Sequence, residues 1–133
     1  MNFSTDASIL VVDESESICE LIELLLVRVG YHVQTATTAA CALRIAREMP
    51  APDVLLCGLD LPDMPGKDLA ERLSSVHSKM SVVFVAPSYA LNDGTGCVDI
   101  LEKPFTIGEL RNVVRAALNS RPDSSKRELC AMR

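Results

Sequence analysis

The feature that most constrains the fold of this chain is a short apolar segment that runs directly into a loop rich in carboxylates, prolines and glycines. The apolar segment covers residues 54–57, and the loop follows at residues 58–66. A wholly apolar run of this length between turn signals is typical of a central parallel β-strand that is covered on both faces. In open α/β sheets, ligands bind beyond the carboxyl ends of such strands. We therefore expect the functional residues of this chain near Gly58 and Asp60.

The rest of the chain alternates between short β-branched runs and amphipathic segments. Four more strands are predicted, at residues 9–12, 31–36, 81–85 and 98–101. Apolar residues at helical spacing predict four helices. The first is capped by Ser15 or Ser17 and ends at Gly30, the second is capped by Thr37 or Thr38, the third follows Gly66, and the last starts at Thr106. Strands that alternate with helices form a parallel sheet with helices on both faces. The expected fold class is therefore α/β, with a doubly wound parallel sheet.

One connection departs from this alternation. Eleven residues, 87–97, separate the fourth strand from the fifth, and Asn92, Asp93 and Gly94 lie among them. A right-handed crossover normally needs about a dozen residues or more. Residues of these types also interrupt helices. The helix expected between these two strands is therefore predicted to be short or absent.

Composition limits the classes of function that are open to the chain. The 133 residues are 48% hydrophobic and 23% charged, which suits one globular domain at residues 1–119 and a polar tail or linker at 120–133. The net charge of −5 and the lack of a basic stripe argue against nucleic-acid binding. No apolar segment approaches the roughly 20 residues that span a bilayer, and no signal-peptide pattern is visible. We expect a cytoplasmic protein without a membrane partner.

The five cysteines show neither metal-binding nor redox spacing. They are Cys19, Cys41, Cys57, Cys97 and Cys130. Three of them lie inside apolar patterns, so reduced thiols in the core are expected. For Cys57, packing in the core is favoured over a role as a redox sensor.

Three short motifs, taken together on this alternation of strands and helices, resemble the receiver domain of bacterial response regulators. They are Asp13-Glu14 after the first strand, Leu61-Pro62 followed by Gly66, and Lys103-Pro104-Phe105 before the last helix. The resemblance covers about residues 7–119. It implies a flavodoxin-like, five-stranded sheet of order 2-1-3-4-5.

The resemblance also implies a phosphorylation pocket. In the family, an acidic pair after the first strand and an aspartate that ends the third strand hold Mg²⁺, and that aspartate accepts the phosphoryl group. Asp13 and Glu14 match the acidic pair, and Lys103 matches the lysine that neutralises the transferred charge. The position of the acceptor falls on Gly58, which has no side chain.

Three further positions depart from the family. The hydroxyl residue that ends the fourth strand is replaced by Ala86, and the usually small residue after it is Pro87. The aromatic residue of the fifth strand, whose rotation reports phosphorylation, is replaced by Ile100. These losses together indicate that the phosphorylation switch has been abandoned.

Each of these residues has a structural alternative. Asp13 and Glu14 are also favourable near the first helix's N-terminus, and their residual Mg²⁺ site is expected to be weak or lost. Lys103 is expected to pair with Asp13, and Gly58 could permit an unusual backbone turn. Asp60, two positions beyond Gly58, is either a solvated loop acid or a displaced phosphoacceptor.

The sequence is therefore interpreted as a degenerate receiver that is not an enzyme, needs no cofactor, and acts in signal transduction by contact with a protein partner. The expected interaction surface lies around Asn92, Ile100, Leu110 and Val114. One alternative is a true response regulator that a histidine kinase phosphorylates at Asp60. The other, a flavodoxin-like protein that binds a small molecule, is disfavoured because the first strand leads into an acidic turn instead of a glycine-rich phosphate cradle.

Overall fold

Strand β3, Val54–Gly58, lies at the centre of a five-stranded parallel sheet, as its uninterrupted apolar run predicts. The computed structural model describes residues 7–48, 51–87 and 99–119. The other strands are β1 (Ser8–Val12), β2 (His32–Ala36), β4 (Ser81–Pro87) and β5 (Asp99–Lys103). The order is β2-β1-β3-β4-β5, and every neighbouring pair is parallel. The predicted fold class and strand order are confirmed.

Four helices occur in the described ranges, and they cover the two faces of the sheet. They are α1 (Glu16–Val29), α2 (Ala39–Glu48), α3 (Gly66–Val76) and α4 (Ile107–Asn119). The prediction of a short or absent helix between β4 and β5 falls on residues 88–98, outside the described residues. None of the described helices is long and apolar enough to cross a membrane.

Successive residues of the central strands point to opposite faces of the sheet, and each face has its own apolar core. Leu56 belongs to the core under α1 and α4, together with Ile22 and Val114. Leu55 and Cys57 belong to the core under α2 and α3. This alternation follows from the period of two in a β-strand. It explains why β3 is apolar at every position before Gly58.

The helix starts follow the capping residues of the sequence. The Ile18 amide donates to Ser15 Oγ over 3.3 Å, and the Cys41 amide donates to Thr38 Oγ1 over 3.1 Å. At α4, Thr106 and Glu109 exchange two hydrogen bonds between side chain and backbone, of 2.9 and 3.0 Å, which is a capping box. Gly30 ends α1 in the left-handed region at φ 115°.

Three strands end later than predicted, and one of these extensions bears on the site. β3 continues to Gly58, and β4 and β5 continue to Pro87 and Lys103, which the register pairs. Lys103 therefore lies at the end of a strand, beyond the predicted bound at residue 101.

An unpredicted contact ties the loop after β3 to the start of α2. The carboxylate of Asp63 accepts the Ala39 and Ala40 amides through its two oxygens, each over 2.9 Å. These two hydrogen bonds hold the pKa of the Asp63 carboxyl below its ordinary value. Asp63 therefore caps α2 from 24 residues away in the sequence.

We expect Asp63→Asn to lower the stability of the fold at neutral pH. Because the pKa is lower in the folded state, the carboxylate stabilises the fold above its unfolded pKa of about 3.9, and this contribution disappears as the pH falls through the folded pKa. The difference in unfolding free energy between the native chain and the variant should therefore shrink on acidification, as measured by denaturant titrations at several pH values.

Asp60→Asn, which removes a charge from the same loop without touching the α2 amides, controls for net charge. A stability loss in Asp63→Asn that stays constant from neutral pH to about pH 2 would contradict the assignment of Asp63 as a cap.

Candidate functional site

Asp13 is the buried carboxylate at the carboxyl edge of the sheet. It follows β1 directly, and its amide donates to the Ala36 carbonyl over 3.1 Å, which fixes its backbone beside the end of β2. Its Oδ1 accepts the Ser15 amide over 2.9 Å, and its Oδ2 accepts Lys103 Nζ over 3.0 Å. Both oxygens of the carboxylate are therefore occupied by donors of this chain.

The ion pair between Lys103 and Asp13 confirms the expected structural pairing. The Asp13 side chain is 3% exposed and that of Lys103 is 27% exposed, so the pair lies at the boundary between the core and solvent. Lys103 reaches this position because β5 continues to it, beside the end of β4. A buried carboxylate needs such a partner, since an unpaired charge loses its hydration without compensation.

Gly58 ends β3 next to this pair. In the register Val12 of β1 is opposite Cys57, so Gly58 lies beside Asp13, and a Cβ built on Gly58 would be 3.2 Å from Asp13 Oδ2. A side chain at position 58 would therefore point at the Asp13 carboxylate. The alternative that Gly58 permits an unusual turn is wrong: its φ is not in the left-handed region, and it pairs with Val85 as an ordinary strand residue.

The loop after β3 returns to the end of that strand. The Gly66 amide donates to the Leu59 carbonyl over 2.7 Å, and a Cβ on Gly66 would overlap the Gly58 carbonyl. Gly66 is therefore required by close backbone packing, with Gly58 on the other side of the contact.

Cys57 behaves as a core residue. Its side chain is fully buried, and its Sγ lies 3.3 Å from the Gly58 carbonyl oxygen and 3.7 Å from that of Gly66. Burial raises the pKa of its thiol to about 12. Because the thiolate is the reactive form, this thiol is a poor nucleophile at neutral pH. The geometry favours the packing role that the sequence indicates.

The remaining residues of the predicted pocket form a partly apolar rim. Ala86 is fully buried at the end of β4, and Pro87 is paired with Lys103 of β5. Neither residue offers a hydroxyl group. Glu14 and Asp60 are exposed, and the backbone of Asp60 forms an isolated bridge with Pro65.

A magnesium ion does not fit the residues that are present. Asp13 is paired with the Lys103 ammonium and accepts the Ser15 amide, Gly58 contributes no ligand, and Glu14 is exposed. Within the described ranges, no three side chains of the Asp, Glu, His and Cys types are grouped so that they could hold a metal ion. Mg²⁺ keeps several waters but is held by one or two carboxylates, and the one buried carboxylate at this edge is already paired with Lys103.

The predicted interaction surface is corrected at two positions. Leu110 and Val114 are fully buried in the core under α4, because they lie on the face of that helix that packs on the sheet. They cannot contact a partner. Ile100 is half-buried, and Asn92 lies outside the described residues.

The hydrogen bond from the Ser15 amide to Asp13, which stabilises the charged carboxylate, was not predicted from the sequence. Aspartate two residues before a helix cap often accepts a backbone amide in a local turn, and the sequence Asp13-Glu14-Ser15 carries that signal. The helix N-terminus adds a partial positive charge on the same side.

Comparison with known proteins agrees with this architecture. Residues 9–115 match the response regulator receiver domain family. The two-component response regulator ARR12 of Arabidopsis thaliana is 32% identical over 130 residues, which cover 93% of this chain and 22% of that protein. The transcriptional regulatory protein KdpE of Mycobacterium tuberculosis is 35% identical over 114 residues, which cover 83% of this chain and 50% of that protein. The chain thus spans half or less of the length of these relatives.

Solved structures show the same fold. A response regulator receiver domain protein from Clostridium thermocellum superposes with a TM-score of 0.77 at 27% identity and covers 85% of this chain and 94% of its own. The receiver domain of NtrX from Brucella abortus gives a TM-score of 0.78 at 26% identity, with 84% and 98% covered. On the strand order, the matched residues and these relatives, the chain belongs to the response regulator receiver domain family.

Proposed function

We propose that this domain is a receiver that does not accept phosphate and that acts in two-component signalling through contact with a protein partner. The observation that carries the proposal is the pairing at the sheet edge. Gly58 stands beside Asp13 where a phosphoacceptor carboxylate would be needed, and Lys103 holds the Asp13 carboxylate. The pocket therefore has neither a nucleophile nor a free acidic pair.

The chemistry of phosphoryl transfer supports this interpretation. Transfer to a protein carboxylate needs that carboxylate in line with the leaving group, and it needs positive charge on the phosphoryl oxygens. Gly58 cannot attack. The Lys103 ammonium is 3.0 Å from Asp13 Oδ2 and forms an ion pair with that carboxylate instead of with a phosphoryl group. Ala86 adds no hydrogen bond to a phosphoryl group.

Phosphorylation at Asp60 is the second candidate, and the geometry disfavours it. Asp60 is exposed in the loop after β3, whereas Asp13 and Lys103 pair at the buried edge. Asp60 does not join Asp13 in any metal-binding group among the described residues. An exposed carboxylate without metal or lysine assistance lacks the charge stabilisation that the reaction requires.

A partner surface is proposed from exposed residues instead of the buried ones. Ile107, Arg111 and Arg115 are exposed on α4 at a spacing of four residues, so they share one face of the helix. Ile100 of β5 packs against the core under α2 and α3, on the other face of the sheet, so it is not part of this surface. We propose this α4 face as the contact surface for a signalling partner in the cytoplasm.

We expect no acyl phosphate on this domain. After incubation with Mg²⁺ and acetyl phosphate or phosphoramidate, the intact mass should be unchanged, because position 58 has no carboxylate. The same measurement on Asp60→Asn tests the second candidate directly. A gain of one phosphoryl group in the native chain that is absent from Asp60→Asn would establish Asp60 as a displaced acceptor and refute the proposal.

We expect millimolar Mg²⁺ to leave the thermal midpoint of unfolding nearly unchanged. A ligand at 100 times its dissociation constant adds about 2.7 kcal/mol of stability, so an intact metal site would be readily visible as a shift of several degrees. Buffers without Ca²⁺ exclude a competing divalent cation. Constant ionic strength removes the effect of general charge screening. A shift that Asp13→Asn abolishes would show that the metal site survives.

Restoring the acceptor should restore metal binding without restoring the switch. In Gly58→Asp the new carboxylate points at Asp13, where a Cβ is 3.2 Å from Oδ2, so the two acids would compete for Lys103 and attract a divalent cation. Mg²⁺ should then raise the thermal midpoint, and slow phosphorylation should follow. Ala86 and Ile100 lack the groups that would relay the change, so partner binding and amide exchange in β4 and β5 should not respond to the phosphodonor.

Gly58→Asn is the matched control, since it introduces the same volume without the charge. Mg²⁺ should shift the midpoint of Gly58→Asp only. A substantial phosphodonor-dependent change in exchange along β4 and β5 of Gly58→Asp would show that the relay is intact.

A further inference from the structure

Helix α1 carries an apolar stripe on the face that points away from the sheet. Leu21, Leu24 and Val27 are 44%, 54% and 50% exposed, whereas Ile22 and Leu26 of the same helix are fully buried. The buried pair faces the core, so the stripe is a second apolar face. Three large apolar side chains in one row on an exposed helix indicate a contact surface.

The stripe is symmetric about Leu24. At 100° per residue, Leu21 lies about 60° to one side of Leu24 and Val27 about 60° to the other, one turn before it and one turn after it. The charged residues follow the same pattern. Glu20 precedes Leu24 by four residues and Arg28 follows it by four, and both are exposed.

The charges beside the stripe on one copy are complementary to those on a second copy of the chain. We infer that two copies of this chain associate through α1, with the two helices antiparallel and the two-fold axis passing beside Leu24. In that arrangement Glu20 of each copy lies level with Arg28 of the other copy, and Leu21 of each lies level with Val27 of the other. Leu24 meets its own counterpart at the axis. A two-fold contact of this kind is self-complementary, as closed homodimers require.

The charges select the antiparallel arrangement over the parallel one. A parallel pair about a two-fold axis would bring Glu20 against Glu20 and Arg28 against Arg28, and like charges at such positions are unfavourable. The antiparallel pair replaces both repulsions with two attractions. The association does not depend on the phosphorylation pocket, so it stands or falls separately from the proposed function.

The contact is of modest size. A helix of 14 residues is about 21 Å long, and the stripe occupies its central two turns. Interfaces at the small end of the range are weak or transient. We therefore expect a reversible dimer that forms at micromolar to submillimolar concentrations.

Sedimentation equilibrium of the full chain over about 5 to 500 µM tests the inference, and the weight-average mass should rise with concentration towards that of a dimer. Leu24→Asp places two carboxylates at the axis and should abolish the rise. Val76→Asp is the matched control, because Val76 is 73% exposed on α3, away from the stripe, and should leave the dimer unchanged. Circular dichroism and thermal midpoints confirm that both variants are folded.

Exchange of the two charges tests the orientation. Glu20→Arg alone and Arg28→Glu alone should each weaken the dimer at least about tenfold, because each creates two like-charge contacts. The double variant Glu20→Arg/Arg28→Glu should recover most of the native dissociation constant, since the pairs are restored with their signs reversed.

Three results would overturn the inference. One is a chain that stays monomeric over the whole concentration range. Another is a dimer that survives Leu24→Asp, and the third is a double charge variant no tighter than the single ones. Recovery in the double variant together with loss in Leu24→Asp establishes the antiparallel α1 contact.

Discussion

Asp13 connects most of the elements that meet at the carboxyl edge of the sheet. It follows β1, accepts the Ser15 amide that precedes α1, and pairs with Lys103 at the end of β5. The backbone of Asp13 bonds to the end of β2, and Gly58 of β3 lies against its side chain. Asp13 thus connects β1, β2, β3, β5 and the start of α1. Because a buried charge must be compensated where it lies, the positions of Ser15 and Lys103 are constrained by it.

Much of the fold could be predicted from the sequence because its signals are local. The apolar run of β3 and the end of α1 at Gly30 are in the predicted places, and each signal acts within one or two turns of chain. The sequence left two candidates for each of the first two helix caps, and the structure shows Ser15 and Thr38 in those roles. The contact between Asp63 and α2 could not be predicted in this way. It joins residues 24 positions apart, and its sequence reads only as a polar loop. The same limit applies to β5, whose last residues are set by pairing with β4.

The candidate site was predictable in its residues and less so in its geometry. The pairing of Lys103 with Asp13 was expected because the resemblance to receiver domains places the two residues in one pocket, where their charges are opposite. The role of Gly58 was misjudged in one alternative, because glycine suggests positive φ while here it is an ordinary strand residue. Leu110 and Val114 were misassigned to a surface. Apolar residues at helical spacing normally face the core, and this face of α4 packs on the sheet.

Gly58 and the Asp13–Lys103 pair depend on each other electrostatically. With a second buried carboxylate at the end of β3, one lysine could neutralise only half of the charge, and an added cation would be needed to hold the edge together. With glycine there, the pair is neutral by itself, and the Ser15 amide satisfies the remaining oxygen of Asp13. Within the proposed function, the edge is therefore balanced in charge without an added cation. A phosphoryl group would add negative charge to an edge that has no spare cation to balance it, so within the proposed function the domain keeps one conformation without phosphorylation.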